Sequence, residues 1–334
     1  MSQADRSAAP ARRTLRINLH ALGPLLALIV LFLIGIALHE NFLSYANITN
    51  VLARSAFIGI IAVGMTFVIT AGGLDLSVGS MAAFIAGLMI MVMNGLLPVM
   101  GPGVGVILVG VAAALLTGLV AGAINGLLVA RARIEAFIVT LGSMGIYRSL
   151  VTWLADGGTL SLDFQLREIY RPVYYEGILG VSWPILVFAL VALVGEIVLR
   201  HTPFGRHCAA IGSNEQVARY SAVHVDRVRT ATFVLLGLLV AVATIMYVPR
   251  LGSASSATGV LWELEAIAAV IIGGTVLKGG FGRVWGTVIG VLVLSLIGNI
   301  LNLTDAVSPY LNGAIQGAII ILAVVLQRGR AALR

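Results

Sequence analysis

The chain has 334 residues, 59% of them hydrophobic and only 10% charged, with a formal net charge of +7 and a mean hydropathy of +1.04. Water-soluble domains carry about 25% charged residues, so a soluble catalytic domain, a disordered chain, a collagen-like fibre and a disulfide scaffold are excluded, and the one cysteine, Cys208, has no partner for an intramolecular bridge. What remains is a membrane protein, in which ten spans of about 20 residues would occupy roughly 200 positions.

Apolar runs bounded by polar or turn clusters fall at 22–39, 53–71, 78–97, 103–129 and 136–154 in the first half of the chain. Five more follow at 184–199, 230–249, 262–277, 284–301 and 311–326. The runs are continuous rather than alternating, which points to helices and away from a closed barrel. The expectation is an all-α polytopic membrane protein of about ten transmembrane helices: a basic segment at 1–21, one transmembrane domain over 22–327 and a basic tail at 328–334.

Strict alternation of ten spans puts both termini on one side, and the arginines decide which. That side receives Arg6, Arg12, Arg13, Arg16, Arg131, Arg133, Arg200, Arg206, Arg219, Arg227, Arg229, Lys278, Arg283, Arg328, Arg330 and Arg334, which is 16 of the 21 basic residues. Cytoplasmic loops are enriched in Lys and Arg, so both termini are read as cytoplasmic. Arg54, Arg148, Arg167, Arg171 and Arg250 lie toward the opposite face. The positive charge is topological and implies no nucleic acid. The basic start is not read as a cleaved signal at Gly35-Ile36-Ala37, because an apolar run of roughly 18 residues exceeds a typical signal core.

Two loops are large enough to act outside the bilayer. The extracytoplasmic one, 155–183, contains Trp183, Tyr170, Tyr174 and Tyr175 and suits an interfacial aromatic belt or a docking surface, with the belt preferred. The cytoplasmic one, 200–229, is basic, and Ser213 or Asn214 would cap a short helix carrying Glu215, Val217, Ala218 and Tyr220.

Asp75 sits in TAGGLDLSVGS between two apolar runs. An ionised carboxylate at bilayer depth costs roughly 2.5 to 3.5 kcal/mol on insertion scales, so it needs a partner or water. Gly72, Gly73 and Gly79 permit a sharp reversal there, and Ser77 would cap the next helix. Two readings stand: an irregular segment lining a cavity, or a cytoplasmic turn whose Asp75 satisfies nearby amides. Translocation-pathway candidates are Asp75, Ser77, Asn125 and Asn299, with Glu196 a further intramembrane candidate; for each of Asn125, Asn299 and Glu196, snorkelling or a bond across helices is the preferred reading. Gly118, Gly122 and Gly126 form a small-residue stripe of the kind that packs helices closely.

Enzymatic motifs are thin. A second glycine-rich break, IIGGTVLKGGFGRVWG, has Lys278 followed by Gly279, so it lacks the G-x-x-x-x-G-K-[ST] of a phosphate-binding loop. His201, His207 and Cys208 lack paired zinc-site spacing. Glu263 and Glu265, two apart on a helix, point to different faces and do not make a shared-proton pair. The expectation is a non-enzyme with no catalytic residue, no metal site and no bound cofactor.

Four segments together resemble the permease subunits of bacterial ABC importers of the ribose type. They are GMTFVITAGGLDLSVGS (64–80), INGLLVARARIEAFIVTLGSMGIYRSL (124–150), TPFGRHCAAIGSNEQVARYSAV (202–223) and ELEAIAAVIIGGTVLKGGFGRVWGTVIG (263–290). The resemblance implies the ten-helix fold of that family in the bacterial inner membrane. It also implies a second permease subunit, as homodimer or close paralogue, a cytoplasmic ABC ATPase that binds ATP and Mg, and a periplasmic solute-binding protein. It places the ATPase-coupling helix in 202–223, with Gly205, Gly212, Asn214, Glu215 and Ala218 as its residues. Where the family often has proline and aspartate, this chain has Glu135-Ala136 and Glu265, and it adds Lys278.

The resulting expectation is a subunit that conducts a monosaccharide or similar small polar solute, driven by ATP hydrolysed on a partner. The rival is an ion-coupled secondary transporter, which needs buried ionisable groups. Here Asp75, Glu196, Glu263 and Glu265 all lie near span ends, which disfavours the rival. Pentose, hexose, polyol, autoinducer-like sugar and nucleoside stay open as solutes.

Overall fold

Residues 19–304, together with 311, 313–315, 317–318 and 321, are described by the computed structural model of the chain. The first 18 residues, the tail at 328–334 and most of the expected tenth span lie outside them. In chain order the helices are α1 (Leu19–Leu38), α2 (Tyr45–Thr70), α3 (Val78–Met100), α4 (Val104–Ala130), α5 (Ala136–Leu154), α6 (Phe164–Tyr170) and α7 (Pro172–Tyr175). They continue with α8 (Trp183–His201), α9 (Pro203–Ser213), α10 (Glu215–Tyr220), α11 (Val225–Leu251), α12 (Trp262–Ile272) and α13 (Val284–Thr304). Four short strands occur, β1 (Thr159–Ser161), β2 (Gly177–Ile178), β3 (Val181–Ser182) and β4 (Ser253–Ser255).

Seven of these, α2, α3, α4, α5, α8, α11 and α13, are long and apolar enough to cross a membrane. The chain is therefore an all-α integral membrane protein, with α1 a further apolar helix that contains Pro24. Their lipid-facing sides carry exposed leucine, valine and isoleucine, such as Leu190, Leu193, Val194 and Ile197 on α8. The centre is α2, whose residues from Gly59 to Thr70 are all buried. It packs against α8, α11, α12 and α13.

The expected eighth span, 262–277, is not one continuous helix. α12 has 11 residues, about 16 Å of rise against the roughly 30 Å of a bilayer core. It begins at Leu261, in the left-handed region with φ +68°, and ends at Gly273 and Gly274, the latter with φ +90°. Antiparallel packing of Ala269 on Gly290 and Gly273 on Gly286 of α13 confines α12 to the half of the bundle nearest α9 and α10. The other half of this crossing is filled by non-helical chain. β4 pairs antiparallel with β1, Ser253 opposite Ser161 and Ser255 opposite Thr159. Arg148 Nη1 donates to Ser256 O and Thr258 O at 2.6 Å each. Gly259 then meets Gly79 at the start of α3, so closely that a Cβ on either would strike the other's carbonyl oxygen. Gly252, Ala254, Thr258 and Gly259 of this irregular stretch are buried, while Ser256, Ala257, Val260 and Leu261 are exposed; its backbone is met by β1, Arg148 and Gly79.

The aromatic belt expected of 155–183 is only half present. Tyr175 and Trp183 are exposed, but Tyr170 is buried, donating from Oη to Ile245 O at 2.7 Å, and Tyr174 is buried against Phe57. Their rings fill space between α6, α7, α2 and α11 instead of facing outward.

The glycine stripe of α4 does what its spacing suggests. Gly118 abuts Gly237 O, Gly122 abuts Phe233 O and Gly126 abuts Thr230 O, so the backbones of α4 and α11 touch without intervening side chains. Gly122→Val should therefore lower thermal stability in detergent by about 1 to 3 kcal/mol through overpacking. Gly142→Ala on α5, where no atom lies within 4 Å of the new methyl, should leave it unchanged or slightly raised. Equal melting behaviour of the two variants would show that this close approach carries no weight.

Candidate functional site

Three of the four pathway candidates meet in one closed cluster. Asp75 Oδ1 accepts from the Ser77 amide at 2.7 Å and from Ser77 Oγ at 2.6 Å. Asn125 Nδ2 donates to Asp75 Oδ2 at 3.3 Å and to Ser77 Oγ at 3.1 Å, and Ser143 Oγ donates to Asn125 Oδ1 at 2.6 Å. All four residues are buried. The cluster ties the 71–77 turn to α4 and α5, so Asp75 obtains its partners inside the protein, from the Ser77 amide and the side chains of Ser77 and Asn125. Ser77 occupies the N-cap position of α3 but its hydroxyl makes no capping bond; it is committed to Asp75.

Asn299 lies elsewhere. It exchanges side-chain hydrogen bonds with Asn47, at 3.1 and 2.7 Å, at the end of the bundle opposite α9 and α10. The pair stands at the wall of a cavity of about 550 Å³ bounded by α2, α11, α12 and α13. Polar groups enter from two facing stripes, Asn47, Asn50 and Arg54 on α2 and Ser295, Asn299 and Asn302 on α13. Arg250 and Glu265 add charge, while Phe57, Tyr247 and Trp262 supply aromatic surface. Tyr247 and Trp262 meet edge to face with centroids 5.0 Å apart. Most of these residues escape sequence reasoning because they are scattered over 250 positions. The signal that exists is local: polar residues three or four apart on otherwise apolar helices share one face. Glu263, by contrast, faces Gly79, so the two glutamates of α12 do point different ways.

At the other end, the 200–229 segment holds the expected short helix, α10, and a further helix, α9, before it. Asn214, not Ser213, caps α10, its Oδ1 accepting from the Val217 amide at 3.1 Å; Ser213 is the last residue of α9. Of the coupling candidates, Gly205, Gly212 and Ala218 are packed against the rest of the bundle, Glu215 is half-buried and Asn214 is exposed. Gly205 abuts Leu199 O at the α8–α9 corner, and Gly212 abuts Thr70 O and the Gly280 amide nitrogen. Ala218 is buried. Glu215 pairs with Arg219 at 2.9 Å and Arg229 at 2.8 Å, and Arg219 also reaches Asp226 at 2.8 Å. The Arg229 guanidinium, with Arg219 assisting, holds the Glu215 carboxyl below its usual range. Glu215 is thus turned inward onto α11. The large apolar side chains that this segment leaves exposed are Val217, 57%, and Tyr220, 90%. Cys208 is fully buried in α9, which pushes its thiol up to about 12.

Glu196 bonds across helices, as preferred for it. Its Oε2 accepts from the Val284 and Trp285 amides, at 3.1 and 3.3 Å, and its Oε1 pairs with Arg200 at 2.5 Å. Carboxylate at a helix N-terminus satisfies amides that have no intrahelical partner, so α8 holds the start of α13.

A family model described as "Branched-chain amino acid transport system / permease component" matches residues 47–324. The ribose import permease protein RbsC of Bacillus subtilis (strain 168) is 40% identical over 315 residues, covering 93% of this chain and 94% of that protein. RbsC of Escherichia coli (strain K12) is 38% identical, covering 90% and 92%. The L-arabinose transport system permease protein AraH of the same strain is 34% identical, covering 92% and 90%. A solved ABC transporter assigned to the metal-chelate type, in an inward-facing conformation, superimposes with a TM-score of 0.51 at 14% identity, covering 94% of this chain and 97% of that one. That likeness shows the fold alone. Matched by the family model over most of its length and by relatives end to end, the chain belongs to the permease-component family of these transport systems.

Proposed function

We propose that the chain is the membrane-spanning permease subunit of a bacterial ABC importer that passes a monosaccharide or similar small polar solute across the inner membrane. The observation that carries this reading is the division of labour along the bundle. A polar, aromatic-walled cavity of about 550 Å³ lies at one end, and a rigidly mounted segment with an exposed apolar tip, Val217 and Tyr220, lies at the other. Sugars are held by hydrogen bonds from amides and charged groups together with aromatic faces, which suits Asn47, Arg54, Glu265, Asn299 and Trp262. The names of the relatives, which import ribose and L-arabinose, support the same solute class.

In this proposal both termini and α9–α10 face the cytoplasm, and the 550 Å³ cavity faces the periplasm, where a solute-binding protein delivers its cargo. A second permease subunit, identical or paralogous, completes the pathway. ATP and Mg reside on a cytoplasmic ATPase whose closure pushes α9 and α10. The chain contributes no reacting group; alternating access is rigid-body motion of its helices. The Asp75 cluster is a latch that keeps the 71–77 turn on α4 and α5, and Asn299 belongs to the pathway wall.

Reconstituted alone in vesicles, the chain should move no ribose or arabinose under a proton or sodium gradient, and uptake should appear only with the ATPase, ATP and the binding protein. Uptake by the lone chain driven by a gradient would favour the secondary-transporter reading and end this one. Tyr220→Asp, together with Val217→Asp, should lower co-purification with the ATPase about tenfold or more while leaving the melting temperature of the isolated chain unchanged; undiminished co-purification would remove α10 from the interface. Because the Glu215 carboxyl is held below its ordinary range, its tie to α11 is fully present above that range and is lost only as pH falls through the depressed value. Proteolysis at 214–224 should accordingly stay slow at pH 5 and rise only under stronger acid, and a rise at pH 6 would contradict the tie.

A further inference from the structure

A groove of about 840 Å³ runs between α4 and α11 at the end of the bundle that carries α10. Its floor is apolar, formed by Leu127, Val234 and Leu238, and its mouth is lined by Arg131, Arg227 and His224. Arg219 and Asp226 also reach the mouth but pair with each other at 2.8 Å, and Arg219 holds Glu215 as well. The one carboxylate of the mouth is thereby neutralised. Arg131 and Arg227 have no ion pair among the described residues. The groove exists because α4 and α11 touch backbone to backbone at Gly122 and Gly126, while Ala231, exposed and bearing only a methyl group, leaves the flank of α11 open beside Leu127.

Dimensions and charge select an occupant. From Arg227 to Leu238 the helix rises about 16 Å, or half the roughly 30 Å hydrocarbon core. A groove that is basic at the headgroup level and apolar over the depth of one leaflet matches the shape and polarity of a single phospholipid with a negative headgroup. A soluble anion would satisfy the arginines but leave the floor uncovered. A neutral lipid would cover the floor but leave the arginines unpaired.

We propose that this groove is a binding site for one anionic phospholipid, its phosphate between Arg131 and Arg227 and an acyl chain along Leu127, Val234 and Leu238. The site is independent of which solute the chain conducts and of whether the transport reading above holds; only its assignment to the cytoplasmic leaflet rests on the proposed orientation. A lipid so held braces the junction of α10 with α11, where Arg219 and Asp226 pair.

Native mass spectrometry of the full-length chain, released from nanodiscs of equal phosphatidylglycerol and phosphatidylcholine, tests it. The expected spectrum retains phosphatidylglycerol preferentially at one site per chain. Arg131→Ala and Arg227→Ala should each lower the phosphatidylglycerol-to-phosphatidylcholine ratio about fivefold, the weight of one basic residue at an anionic surface. Ala231→Phe, which fills the groove and leaves the charges in place, should abolish retention without lowering the melting temperature measured in phosphatidylcholine alone. An unchanged ratio in both arginine variants, full retention in Ala231→Phe, or displacement of phosphatidylglycerol by millimolar inorganic phosphate would overturn the proposal. So would an Ala231→Cys disulfide between two chains in the membrane, since Cys208 is buried and the bond would show the groove covered by a second copy.

Discussion

A backbone that leaves the helix inside a membrane has no water to satisfy it and must be met by other protein. The joint that settles this for the chain is three-sided: the Gly280 amide donates to Thr70 O at 2.9 Å, and Gly212 lies against both. Gly212 belongs to α9, Thr70 ends α2, and Gly279 and Gly280 lie in the segment that links α12 to α13. No side chain separates them, and Gly279 and Gly280 both take positive φ, near +90° and +84°. A Cβ at Gly212 would strike Thr70 O. Backbone contacts of this kind hold a position more rigidly than side-chain contacts, since there is no rotamer to relax.

The segments that the proposed function assigns to coupling meet at or near that joint. α9 continues α8 with only Thr202 between, and α8 carries Glu196, whose carboxylate holds the Val284 and Trp285 amides at the start of α13. The exposed tip of α10 is thus coupled to the α12–α13 link at two places, through Gly212 and through Glu196. α12 is short, is packed on α13 through Ala269 and Gly273, and from its N-terminal end, away from α9 and α10, lends Trp262 and Glu265 to the cavity wall. Under the proposed function, a push on α10 would have a path through packed backbone to Trp262 and Glu265 at the cavity wall.

Much of this was legible in the residues, and what was not has physical reasons. Long apolar runs gave α3, α4 and α5 to within a few residues, because lipid demands the same thing of every exposed position. Spacing alone gave the close packing of Gly118, Gly122 and Gly126. The half-helix α12 was missed because the apolar run continues through Gly273 and Gly274, and hydropathy does not register a backbone break. The inward turn of Glu215 was missed because its partner Arg229 lies 14 residues away, beyond any local rule. Asp75, Ser77 and Asn125 could be singled out as buried polar groups, but only the fold could show that they satisfy one another. The facing stripes on α2 and α13 were present in the sequence, and only the antiparallel approach of the two helices makes them one surface.

The central claim is that α10 and the α12–α13 link move as one body. Cys208 is the chain's only cysteine and is buried, so spin labels at Tyr220, Leu277 and Val99, all exposed, can be introduced in pairs in the full transporter. Pulsed electron–electron distances measured with and without ATP should leave the Tyr220 to Leu277 separation unchanged while both separations to Val99, at the far end of α3, shift. A change between Tyr220 and Leu277, with Leu277 fixed relative to Val99, would contradict the account.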